Sequence, residues 1–180
     1  IFPFGGEPFF FRPVVQMLEQ HDANLETRFH FITNATLLTD RIYDTIERLP
    51  ISSIGASLDA ATEESFMQLR VRGRNANWET VLSNLKRLQG LKQRKHFNFT
   101  LSMTLNTINS SEIGSFVDLA LSFDAEPLIM LVANPYNTTE FQKSYLNFTD
   151  AQFEKMDTEI GNSIAKVKAY NFEDAEIFLN

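Results

Sequence analysis

Cysteine is missing from all 180 residues of this chain. Its absence excludes disulfides, a thiol nucleophile, structural zinc held by thiolates, and any iron–sulfur cluster ligated by this segment. It also fits a reducing compartment, and a cytoplasmic location is the expectation. Long apolar runs are missing too. None approaches the ~20 residues that a membrane-spanning helix requires, so no membrane partner is expected. Positive charge is scarce: 16 Lys and Arg stand against 23 Asp and Glu, for a formal net charge of −7. Neutralising phosphates takes a basic surface, so nucleic acid is not an expected partner either. The histidines, His21, His30 and His96, lack metal-ligand spacing and read as ordinary surface or core residues. Neither a signal peptide nor Met opens the chain. It starts inside what reads as a core strand, as the trimmed part of a longer polypeptide would.

What is present suits a globular domain with a substantial core: 43% of residues are hydrophobic and 17 are Phe. Residues 1–4 (Ile-Phe-Pro-Phe) read as the end of a buried strand. Gly5 and Gly6 then permit a tight turn or close approach to a ligand, and Pro8 lets a helix begin but cannot extend the strand. Phe9 to Phe11 read as core packing. An amphipathic helix is predicted over residues 11–23, with Val14, Val15, Met17 and Leu18 inward. Strands are predicted over 28–33, 51–58, 97–105 and 127–132, with a last short one at 175–179. Thr39 and Asp40 open a helix whose face is Ile42, Tyr43, Ile46 and Leu49, stopped by Pro50. Thr62 caps a short helix through Leu69. Asn77 caps a longer one with Val81, Leu82, Leu85 and Leu88 inward, ending near Gly90. Asn109 or Ser110 is expected to cap the next, with Ile113, Phe116, Val117, Leu119 and Ala120 inward. A capping box from Thr149 to Gln152 opens a long helix with Phe153, Met156, Ile160, Ile164 and Val167 on its face. The Asn-x-Ser/Thr triplets at Asn34, Asn98, Asn109, Asn137 and Asn147 are taken as chance in an Asn- and Thr-rich chain, Asn98 falling in mid-strand.

Strand and helix thus alternate through the chain. Short continuous apolar strands are expected to be buried on both faces, which makes the sheet parallel and flanked by helices. An open doubly wound sheet and part of a βα barrel both fit. In either, ligands bind at the carboxyl ends of the strands. Those ends carry Gly5-Gly6-Glu7, Thr33-Asn34, Ser57-Leu58-Asp59, Asn106 and Ala133-Asn134-Pro135, with the run Arg70-Val71-Arg72-Gly73-Arg74 close by in sequence. A rim with two acids, several amides and arginines suits a zwitterion. Glu7 could hold an ammonium, an arginine a carboxylate, and Asp59 or Ser57 a hydroxyl. Plainer roles exist for each: Asp59 can open a turn, and Asn106 can bond its own backbone.

This ordered set resembles the radical S-adenosylmethionine (SAM) superfamily over residues 1–135. It comprises Gly5-Gly6-Glu7-Pro8, Thr33-Asn34, Ser57-Leu58-Asp59, Glu64-Ser65-Phe66…Leu69-Arg70…Gly73-Arg74, Val81-Leu82-Ser83-Asn84-Leu85 and Asn106…Asn109…Glu112-Ile113. The resemblance implies a partial TIM-like barrel of parallel strands lacking its first βα unit, with residues 136–180 as a C-terminal helical extension. It also implies an oxidoreductase or maturase that cleaves SAM with a 4Fe–4S cluster, the cluster belonging to a longer chain with the missing cysteines. Carried over by motif, Gly5, Gly6 and Glu7 meet the methionine amino group, and Ser57 meets the ribose or carboxylate region. An arginine, preferably Arg72 over Arg70 or Arg74, meets the carboxylate, while Asn106 and Ala133 flank the ribose and adenine. Asn34 and Asp59 complete the expected set.

The sequence departs from the family where Ala35 follows Asn34 in place of glycine, which questions a left-handed backbone there. It departs again in having no Cys-x3-Cys-x2-Cys loop. Without that loop, this chain alone is expected to be inactive. A peptide or protein is the expected substrate class. Self-association through an exposed N-terminal edge strand is expected as well. A retired scaffold kept for binding a partner, or an unrelated βα domain, is the competing reading.

Overall fold

The computed structural model describes residues 6–22, 26–70, 77–131 and 147–170. Pro8–Phe10 forms a single 3-10 turn, followed by α1 (Arg12–Glu19). The remaining elements are β1 (Phe29–Thr33), α2 (Asp40–Arg48), β2 (Ile51–Ser57), α3 (Glu63–Arg70), α4 (Trp78–Lys95), β3 (Asn98–Leu105), α5 (Ile113–Ser122), β4 (Glu126–Leu131) and α6 (Asp150–Ala169). The strands expected at residues 1–4 and 175–179 lie outside the described residues.

Local chemistry accounts for most of the boundaries. Thr39 accepts from the Ile42 amide, Asn77 from the Thr80 amide, and Thr149 and Gln152 form the reciprocal box at the start of α6. Caps of this kind are each worth ~1 kcal/mol. Two boundaries differ from expectation. The helix α4 runs through Gly90 to Lys95, because the ~1 kcal/mol cost of a helical glycine is smaller than the gain from burying Leu88 and Leu91. It stops at His96, which takes a left-handed conformation. Neither Asn109 nor Ser110 caps α5. Glu112 holds that position and makes no side-chain cap bond, since its carboxylate is engaged elsewhere.

The four strands form one parallel sheet in the order β1-β2-β3-β4. Among the described strands each is added on the same side as the last, so these four show no reversal of order of the kind that defines a doubly wound sheet. This is the sequence of a βα barrel, here as a partial one. In the β1–β2 pair, His30 lies opposite Ser53 and Thr33 opposite Ala56. Burial on both strand faces is not observed. Phe99, Leu101, Met103 and Leu105 are buried while Thr100, Ser102 and Thr104 between them are half-exposed, and in β1 Ile32 is 47% exposed. One face is core; the other is polar and partly open, because Ser and Thr alternate with the apolar residues. Asn98 is the first, exposed residue of β3, not a mid-strand one.

The chain divides into two compact units, Ile1–Ser57 with Asn75–Thr100, and Leu58–Arg74 with Leu101–Asn180. In the first, Leu18, Phe31, Ile46, Ile54, Leu85 and Leu91 are almost fully buried. The rings of Phe29 and Phe31 stack at 5.8 Å, and Phe9 meets Phe31 at 5.7 Å. Phe10 and Phe11 depart from the expected core: they are 75% and 55% exposed, because the 3-10 turn rotates only Phe9 inward. Met17 is also exposed and Leu82 half-buried, while Asn84 and Leu91 take inward positions on α4.

In the second unit, Phe66, Leu101, Met103, Ile113, Phe116 and Val117 are buried. The helix α6 docks on α5 through Glu159 to the Gly114 amide, Lys166 to Asp118, and the Tyr170 hydroxyl to the Leu121 carbonyl. Its inward residues are Met156, Ser163 and Val167; Phe153 is exposed and Ile160, Ile164 and Leu119 are half-buried. No helix among the described residues is long and apolar enough to cross a membrane.

Candidate cofactor-binding residues

In the first unit the site residues gather around Glu7. Gly6 has φ +66°, a conformation that glycine enters without penalty, and a Cβ there would meet nothing within 4 Å. The chain is thereby turned so that the Glu7 carboxylate points back at the end of β1. The Thr33 hydroxyl lies 2.9 and 3.0 Å from its two oxygens, and the Asn34 amide donates to Oε2 at 2.7 Å. The Phe9 amide donates to Oε1 at 3.3 Å. Three donors thus engage both carboxylate oxygens, the single Thr33 hydroxyl lying between the two. The Asn34 side chain is spent locally, its Oδ1 accepting from the Thr36 amide and hydroxyl.

Ala35 keeps the left-handed backbone, with φ 57°, although it stands where the family has glycine. The doubt raised by that substitution is therefore removed. Its amide donates to the Thr33 hydroxyl at 3.1 Å, and its carbonyl accepts from Asn84 Nδ2 at 2.7 Å. Ser57 ends β2, half-buried and out of register with the buried Ile54 and Ala56. Gly5 lies outside the described residues.

In the second unit the centre is Asp59, also left-handed with φ 60°. Its Oδ1 accepts from the Thr104 amide at 2.8 Å and its Oδ2 from Arg70 Nη2 at 2.6 Å. Both partners of this ion pair are 23% exposed, so it is only partly screened by solvent. Asn109 is fully buried. It donates to the carbonyls of Asp59 and Thr104, each at 2.9 Å, and accepts from the Asn106 amide at 2.8 Å. The Asn106 side chain turns on its own backbone, accepting from Ile108 and donating to Thr104. Glu112 gathers the Ala61 amide and the hydroxyls of Thr62 and Ser65 at 2.9, 2.6 and 2.7 Å. Arg72, Arg74 and Ala133 lie outside the described residues.

Thr33 stands on the rim expected from the strand ends, whereas Asn84, Asn109 and Glu112 belong to the motifs that carry the resemblance without a binding role expected of them. A signal existed for Asn84. It stands three residues after Val81 and one before Leu85, on the apolar side of its helix, and a polar group buried there must have a partner. Displaced pKa values occur on α1, α2 and α4. Arg41 lowers Glu19 through a side-chain hydrogen bond, Glu47 raises Arg94 in the same way, and burial lowers Lys95. Among the described residues no group of His, Asp and Glu is placed to hold a metal ion.

The pattern of the radical SAM superfamily matches residues 1–120. No curated protein matches. Among solved structures, Streptococcus suis SuiB bound to S-adenosylmethionine aligns with a TM-score of 0.65 at 14% identity, over 98% of this chain and 37% of SuiB. SuiB bound to the precursor peptide SuiA aligns at 0.60 and 14% identity, over 91% of this chain and 35% of SuiB. A domain of pyruvate-formate lyase-activating enzyme from Bacteroides vulgatus ATCC 8482 aligns at 0.58 and 14% identity, over 91% of this chain and 93% of that domain. Similarity at this level of identity concerns the fold, and the chain spans little more than a third of SuiB. Taken with the sequence match over two-thirds of its length, the chain belongs to the radical SAM superfamily.

Proposed function

We propose that this chain is the SAM-binding part of a radical SAM enzyme whose 4Fe–4S cluster is held by cysteines outside these residues. With both groups bound, the pair would supply one-electron reductive cleavage of SAM and hydrogen abstraction from a substrate. The residues here fit SAM: a glycine turn open to a ligand, a fixed carboxylate, amides and an arginine. They do not fit the cluster, since no thiolate is present, so the chain alone is inactive.

The observation that carries this reading is the tie between Glu7 and the end of β1 through Thr33 and Asn34. Because both of its oxygens are already engaged by those donors, Glu7 acts mainly by fixing the turn. The backbone carbonyls of Gly5 and Gly6 meet the methionine ammonium, with the carboxylate charge behind them. An arginine, Arg72 in preference to Arg70 or Arg74, takes the methionine carboxylate, Ser57 the ribose region, and Asn34, Asp59, Asn106 and Ala133 complete the set. The substrate is a peptide or protein, as SuiB with its precursor peptide suggests.

Calorimetric titration with SAM tests the reading. Saturable binding by this chain, with no 5′-deoxyadenosine formed under reductant, is expected; absence of binding refutes it. The cysteine-free sequence favours a second reading, a retired scaffold that keeps the fold for a partner. Iron binding and SAM cleavage by the full natural polypeptide, reconstituted without oxygen, exclude that one.

A further inference from the structure

We infer that Asn84, on α4, is a positioning residue that holds the turn clamping Glu7. The left-handed region costs a residue with a Cβ ~1–2 kcal/mol, and Ala35 sits in it. Left to itself this backbone would relax to an ordinary conformation and swing the Asn34 amide and the Thr33 hydroxyl away from Glu7. Two bonds oppose that. The Ala35 amide is taken by the Thr33 hydroxyl, itself bonded to Glu7, and the Ala35 carbonyl by Asn84 Nδ2 at 2.7 Å. Asn84 is 6% exposed and extends from an otherwise apolar helix face directly to the carbonyl of the strained residue. A buried amide placed only to satisfy itself could have bonded its own helix. Here it reaches from residue 84 to residue 35, so α4 and the turn after β1 are locked in one arrangement. Glycine at 35 would not need this strap; alanine does.

The inference rests on the SAM reading for one of its two measurements and stands apart from it for the other. The first is affinity for SAM. If the strap is lost and the competent turn falls to about a tenth of the population, the apparent Kd rises about tenfold. That is the expectation for Asn84→Ala, with a smaller rise for Asn84→Ser, which keeps a donor at shorter reach. Adding Ala35→Gly to Asn84→Ala restores most of the affinity, because glycine holds the turn unaided. Ala35→Gly alone changes little. Leu88→Ala, one turn further along the same buried face, lowers stability without changing Kd. The second measurement is hydrogen exchange at the Asn34 amide, read by NMR without ligand. It speeds up about tenfold in Asn84→Ala and returns toward wild type in the double variant.

An unchanged Kd and unchanged exchange in Asn84→Ala, failure of Ala35→Gly to rescue, or an equal loss of affinity in Leu88→Ala overturns the inference. Should the wild-type chain bind no SAM, the proposed function fails, and Asn34 exchange alone decides the role of Asn84. Should Asn84→Ala not fold, Asn84→Ser with and without Ala35→Gly carries the same comparison.

Discussion

Replacing Asp59 separates three contributions that the structure superposes on one residue. Asp59, two residues beyond β2, takes a left-handed conformation, accepts the Thr104 amide, and pairs with Arg70. Asp59→Asn keeps the backbone preference, since Asn tolerates this region well, and it keeps an acceptor for Thr104. It loses the charge opposite Arg70. The pair is 23% exposed on each side, so its worth lies between an exposed bridge and a buried charge-assisted bond, ~1 kcal/mol. Asp59→Gly loses the charge and the Thr104 acceptor but relieves the backbone, for ~2 kcal/mol. Asp59→Ala loses both and pays the left-handed penalty besides, for ~3 kcal/mol. The expected order of stability is therefore wild type, Asn, Gly, Ala. Urea unfolding followed by far-UV circular dichroism reads it, with the midpoint falling and the slope constant. Greater stability of the alanine variant than of the glycine variant would show that φ at this position is not a constraint. Equal stability of wild type and Asp59→Asn would show that the Arg70 pair contributes nothing.

Thr33→Val keeps shape and strand preference but removes the hydroxyl shared by Glu7 and the Ala35 amide; a loss of ~1–2 kcal/mol in urea unfolding is expected, with weaker SAM binding. An unchanged Kd would detach the Glu7 cluster from the cofactor. Glu112→Ala strips an acceptor from Ala61, Thr62 and Ser65 together and should cost ~2–3 kcal/mol, whereas Glu112→Gln keeps part of it and costs less. Lys95 donates to the carbonyls of Glu47 and Leu49 at the end of α2. Burial lowers its pKa below 10.5, with the Glu47 carboxylate opposing. The unfolded chain then binds more protons than the folded one, so stability rises as pH climbs from the lowered folded value through the unfolded value. The stability of wild type relative to Lys95→Met should increase as pH approaches and passes the unfolded lysine value of about 10.4 in parallel unfolding curves; a decrease would reverse the assigned sign.

The sequence showed the alternation of elements because burial imposes a period on each of them, and that period survives as a pattern of apolar residues. The caps at Thr39, Asn77 and Thr149 were legible for a similar reason: one side chain meets an amide two or three residues away. What stayed hidden was contact between residues distant in the chain. Asn109 follows a strand and precedes a helix, and locally that is a cap; only its burial beside Asp59 and Thr104 makes it a bracket. Glu112 likewise looks like an acid in a first helical turn, yet its donors come from residues 61 to 65. Ala35 is the most instructive case. From sequence its methyl group argues against a left-handed turn, and propensity supports that argument. The structure keeps the turn because Asn84 and Thr33 hold both of its backbone groups. Read in reverse, a polar residue on an apolar helix face and a missing glycine far away in the sequence are two halves of one compensation. The pair was visible from the start, but neither half had a reason to be joined to the other until the backbone brought them within 2.7 Å.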